Sequence, residues 1–148
     1  METVFNVLHV VAAVFIVGPM AILPMTAMRA VRAGNGAQVA VLAKSTNIFS
    51  LLSLAVVLFG FGAMGMADEK YNLSIGTPWI LWSIILYVVA LAISLFLVVP
   101  SMRKAADALQ SSTGSTSAAS AGYPAIAAGS GIASLLLVIV VVLMVWKP

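Results

Sequence analysis

The chain contains no cysteine, which removes disulfides, thiolate metal sites and a cysteine nucleophile and leaves the compartment open. Charge is nearly as scarce, with seven Lys and Arg and four Asp and Glu in 148 residues. Histidine occurs once, at His9, so one chain cannot build a bis-histidine haem site. Asp68 and Glu69 are adjacent and lie outside the apolar runs, so no carboxylate pair is available for acid–base work inside a span. For the same reason no Ser-His-Asp arrangement can be assembled at membrane depth. No glycine-rich loop follows a strand to cradle phosphate, and no basic stripe alternates with exposed aromatics, so nucleic acid is excluded as a partner. These absences predict a protein that is not an enzyme.

What is present is apolar sequence. No Asp, Glu, Lys or Arg occurs from Thr3 to Met28, Ser45 to Ala67, Tyr71 to Met102 or Ala108 to Trp146. Each gap holds an apolar run of about 20 residues, the length a helix needs to cross ~30 Å of hydrocarbon. A soluble helix would need a polar stripe facing water. The composition, 63% hydrophobic and 7% charged, lies far from the roughly 25% charged content of soluble domains. The expected class is all-α, a polytopic membrane protein with one domain over 1–148 and four transmembrane helices at about 4–25, 47–66, 79–99 and 123–146. Backbone groups in lipid must be satisfied within the segment, so even the valine-rich Leu135–Val145 is expected as helix. The first run follows Glu2 rather than a basic segment and is longer than a signal-peptide core, so it is expected to be retained.

Five of the seven basic residues fall in the first and third connections: Arg29, Arg32 and Lys44 in Thr26–Thr46, and Arg103 and Lys104 in Pro100–Gly122. The positive-inside rule then places those connections in the cytoplasm and both termini outside. These basic residues suit lipid headgroups or a partner's acidic surface. Within the third connection, the Ser, Thr, Ala and Gly of Ser111–Gly122 read as a flexible linker over about 108–122. Pro19 and Pro24 interrupt the first helix, with a bend expected at Gly18-Pro19; Pro78 and Pro124 suit helix starts and Pro100 a helix end.

Helices in lipid associate through small residues and interhelical hydrogen bonds. Ala127, Gly131 and Ser134 mark such a face on the fourth span, and Gly60 with Ala63 marks one on the second. Both suit packing inside a bundle or contact with another membrane protein. His9 is the one ordinarily titratable group well inside a span apart from the tyrosines. It can stay neutral and hydrogen-bond to water, Asn6 or a neighbouring carbonyl. With Met64 and Met66 it could instead bind Cu(I), which soft sulfur ligands select, or haem iron. A proton-coupled transporter would carry acids or several histidines near the midplane. Ser53, Ser83, Ser94 and Ser134 stand there instead, each able to bond back to its own helix.

The run from Leu8-His9 through Gly18-Pro19 to Leu23-Pro24 and Arg29, with Gly76-Thr77-Pro78-Trp79, resembles an actinobacterial family of predicted integral membrane proteins of unknown function. Helix one is also similar to that of copper-resistance CopD-type proteins and HemJ-type oxidases, in which the histidine is linked to haem. That likeness extends to His9 and Arg29. Size and span count resemble the accessory subunits of actinobacterial respiratory supercomplexes. The resemblance implies a non-catalytic, multi-pass subunit of the bacterial plasma membrane. Its partners would be other integral membrane subunits, such as those of a cytochrome bcc–oxidase assembly, and phospholipid. The expected cofactor is none, with haem or Cu(I) as the alternative.

Overall fold

The computed structural model describes residues 1–111 and 116–148, with side chains described over 1–111 and 122–148. It is helical throughout, without a strand among the described residues. The helices are α1 (Glu2–Arg32), α2 (Gly36–Gly65), α3 (Pro78–Gln110) and α4 (Thr116–Trp146), and a short 3-10 turn covers Glu69–Tyr71. All four carry stretches long and apolar enough to cross a membrane, which agrees with the expected all-α class. Each helix packs on the next, and α4 closes back on α1.

The helices outrun the bilayer. The 30 residues of α2 reach about 45 Å at 1.5 Å per residue, against ~30 Å of hydrocarbon. The surplus lies at the end carrying Arg29, Arg32, Lys44, Arg103 and Lys104, called here the basic end. The first connection, expected over Thr26–Thr46, shrinks to Ala33–Asn35. Gly34 takes a positive φ of 69°, and Asn35 caps α2 by accepting from the Gln38 N–H at 3.1 Å. The third connection is corrected likewise: α3 continues through Pro100 to Gln110, and α4 starts at Thr116, eight residues before Pro124. The linker expected over 108–122 is therefore helical at both ends, and its middle, 112–115, lies outside the described residues. The connections were placed where hydropathy falls, whereas apolar residues at helical spacing continue beyond that point.

Those residues form a core of their own. Ala27, Ala30, Val31, Val39, Ala43, Val98, Met102, Ala105, Ala106 and Ile126 are buried together at the basic end. Water drives this burial, and the alanines allow close helix approach. Within lipid the packing is looser: the most apolar window of α1 is 11% buried and that of α3 33%. A second cluster, Met20, Tyr87, Ala90, Ala133 and Leu137, holds the middle of the bundle. Beyond it, the Glu2–Ala12 segment of α1 packs on α2 and has no buried residue.

Two prolines are absorbed without ending a helix. A proline has no N–H, and its ring clashes with the carbonyl four residues back. Ahead of Pro19, residues Ala13–Val17 widen into a π-turn, with the Gly18 N–H reaching the Ala13 carbonyl. Ahead of Pro100, Ser94–Val98 do the same, with the Val99 N–H reaching Ser94. Pro100 is thus interior to α3, and Pro124 interior to α4, rather than an end and a start.

Candidate functional site

His9 and Phe5 lie four residues apart on the face of α1 that meets α2. The His9 Nδ1 lies 2.8 Å from the Val56 carbonyl oxygen. A carbonyl only accepts, so Nδ1 donates, and in the neutral ring Nε2 keeps its lone pair. The half-buried ring fits because α2 has no side chain at Gly60. A Cβ there would stand 2.9 Å from His9 Cε1 and 3.1 Å from Nδ1. Two residues nearer the end of α2, a Cβ on Gly62 would lie 2.5 Å from Phe5 Cδ1. Two glycines therefore form slots for two rings, and the hydrogen bond fixes the imidazole's tautomer. Second partners of this kind orient metal-ligating histidines, so Nε2 is the one atom of the ring that could hold a metal or haem iron.

The methionines take no part in that bond. Met64 is half-buried, and Met66 is exposed just past the end of α2. Among the described residues no group of three or more His, Asp or Glu could hold a metal ion. A second polar contact crosses the bundle near its middle, where the hydroxyls of Ser53 on α2 and Tyr87 on α3 meet at 2.6 Å. Ser53 also donates to the Ser50 carbonyl at 2.6 Å, while the buried Ser50 hydroxyl has no partner. Thr46 and Ser83 bond back to Leu42 and Trp79 of their own helices.

The packing residues divide. Gly60 receives His9, Ala63 is buried, and the Ser134 hydroxyl donates to the Ala21 carbonyl of α1 at 3.4 Å. Ala127 is half-buried. Gly131 does not pack within the bundle: it is exposed, and nothing lies within 4 Å of where its Cβ would stand. The buried face of α4 is instead Ile126, Gly129, Ser130, Ala133 and Leu137, with Gly129 pressed against Val98. Small residues occur on both faces of α4, so spacing alone left the choice open by one position, about 100° of rotation. The large Ile126 and Leu137 decide it by filling the interior. Arg29, Arg32, Lys44, Arg103 and Lys104 are all exposed, and the Arg32 guanidinium sits 4.9 Å over the Tyr123 ring.

A protein-family model described as "Predicted integral membrane protein (DUF2269)" matches residues 3–148. The chain belongs to this family. No curated protein and no solved structure matches it. Membership in DUF2269 and the four apolar helices together identify a multi-pass integral membrane protein. The Phe5–Gly62 slot, the Ser53–Tyr87 bond and the Gly129 contact were not anticipated. Mid-span hydroxyls and an aromatic four residues before His9 were the available signals, and neither names its partner.

Proposed function

We propose that this protein is a non-catalytic accessory or assembly subunit of the bacterial plasma membrane that docks on a larger membrane complex. The observation that carries this reading is the outward face of α4. Pro124, Ala128 and Gly131 are exposed there, with open space at Gly131. Small residues turned away from the bundle let another helix approach closely, which is how helices associate in lipid. The complex proposed is a respiratory cytochrome bcc–oxidase assembly, supported by the likeness in size and span count to its accessory subunits. The exposed basic residues support a cytoplasmic basic end, with both termini outside, where anionic headgroups attract each Lys or Arg by about 1 kcal/mol.

The test is a pull-down of the tagged protein from its native membrane in mild detergent, with mass spectrometry and an absorption spectrum on the same sample. Cytochrome and oxidase subunits should co-purify near equal stoichiometry and be lost in Gly131→Leu. Purification of the wild-type chain alone would refute docking.

A second reading rests on the tautomer of His9. With Nδ1–H held by Val56, Nε2 is oriented as a ligand for copper or haem iron. A Soret band or stoichiometric copper in the protein purified alone, lost in His9→Ala, would favour it over docking.

A further inference from the structure

Arg32 and Tyr123 meet where α1 and α4 leave the hydrocarbon. Tyr123 stands about 35 Å from Trp146 at 1.5 Å per residue, against ~30 Å of hydrocarbon. With Trp146 at one interface, Tyr123 falls in the headgroup layer of the other. The Arg32 guanidinium lies 4.9 Å over the Tyr123 ring, so it shares that depth. Between the two helices opens a crevice of about 260 Å³ lined by Val31, Arg32, Tyr123 and Pro124. A water molecule takes up ~30 Å³, so a phosphate group fits.

The donors in this crevice are unused. Contact with the ring holds the guanidinium in place and occupies none of its five N–H donors. Neither these nor the Tyr123 hydroxyl bonds to any group among the described residues. Arg29, one turn earlier on α1 and exposed, brings a second positive charge beside Arg32. Asp107, the one acid at this end of the chain, lies on α3 and pairs with neither arginine.

The surface beneath the crevice selects the form of the anion. Toward the midplane α1 exposes Ile22 and Met25, and α4 exposes Ala128. A ligand seated on Arg32 therefore meets apolar surface on its membrane side and water on the other, which suits an amphiphile rather than a free ion.

We infer that this crevice binds the headgroup phosphate of an anionic phospholipid. The planar guanidinium presents paired N–H donors to two phosphate oxygens, and the Tyr123 hydroxyl supplies a further donor. An arginine already held by a ring loses little freedom on binding. Arg29 favours a lipid of net negative charge over a zwitterionic one, whose cationic group would meet the same positive field. The inference shares with the proposed function only the placement of the basic end among headgroups; docking rests on Gly131.

The test titrates the purified full chain in detergent with phosphatidylglycerol or phosphatidylcholine and follows binding of the first lipid by native mass spectrometry. The wild type should prefer phosphatidylglycerol. Arg32→Gln and Tyr123→Leu should each weaken that binding on the order of tenfold. Arg32 is exposed, so Arg32→Gln leaves the packing of the bundle untouched. Arg32→Lys should weaken binding too, because an ammonium is a point charge without the fork. Lys44→Gln removes the same charge at a similar depth, about 32 Å from Gly65. Lys44 contacts no ring among the described residues, and its loss should leave the affinity unchanged. Equal affinity for the two lipids, an equal loss in Lys44→Gln, or full binding in Arg32→Gln or Arg32→Lys overturns the inference. Displacement of the lipid by inorganic phosphate would make this a site for the free ion and overturn it as well. Gly131→Leu, which tests docking, should leave lipid binding intact, so the two readings fail separately.

Discussion

Placing a methyl group at Gly60 tests the slot geometry with one atom. In Gly60→Ala the new Cβ stands 2.9 Å from His9 Cε1 and 3.1 Å from Nδ1, so the ring must move away from α2. Such overpacking costs about 1–3 kcal/mol. The displaced ring also loses part of its hydrogen bond to Val56, worth roughly 0.6–2 kcal/mol between spans in a membrane. Against these stands the higher helix propensity of alanine, about 1 kcal/mol. The net expectation for Gly60→Ala is therefore a destabilisation of about 1–3 kcal/mol. Removing the ring reverses the sign: in a His9→Ala background nothing obstructs the methyl group, and Gly60→Ala should stabilise by up to about 1 kcal/mol. The assay is a double-mutant cycle on SDS-induced unfolding in mixed micelles. A coupling energy of about 1–3 kcal/mol between positions 9 and 60 is expected, as for residues in direct contact. Equal effects of Gly60→Ala in both backgrounds would show that His9 does not occupy the slot, and the tautomer argument would fall with it.

Other outcomes follow from the same packing. Ser50→Ala removes a buried hydroxyl without a partner and should leave stability unchanged or raise it by about 1 kcal/mol, whereas Tyr87→Phe should lower it by roughly 0.6–2 kcal/mol in the same unfolding assay. On α4, Gly129→Ala should destabilise by about 1–3 kcal/mol, because its Cβ would lie 2.8 Å from Val98 Cγ2, and Gly131→Ala should not; the reverse order would mean that α4 is rotated. For orientation, Tyr71→Cys should react with a membrane-impermeant maleimide added outside intact cells and Asp107→Cys only after lysis, with the opposite pattern inverting the topology.

Sequence and structure diverge most clearly at the basic end. Arg29, Lys44 and Arg103 were expected in connections outside hydrocarbon, yet they sit on helices rather than in loops. Hydropathy measures the solvent, and the hydrogen-bond ladder of a helix does not stop at the lipid boundary. Pro100 misled for a related reason: a π-turn one step earlier absorbed its missing donor, and nothing local to Val99-Pro100 distinguishes that outcome from a helix end. His9 was legible as an unusual residue and a neighbouring carbonyl as one possible partner. That the carbonyl belongs to Val56 depends on how α1 lies on α2.

The sequence by itself determined the solvent, the number of membrane-length helices and the end at which basic charge collects, because each is a property of consecutive residues and their transfer from water to lipid. Only the tertiary structure decided which glycines are slots, which face of α4 turns outward, which serine is left without a partner and which nitrogen of His9 stays free. In lipid no hydrophobic force separates one apolar face from another, so these choices rest on side-chain shape across helices that are distant in sequence.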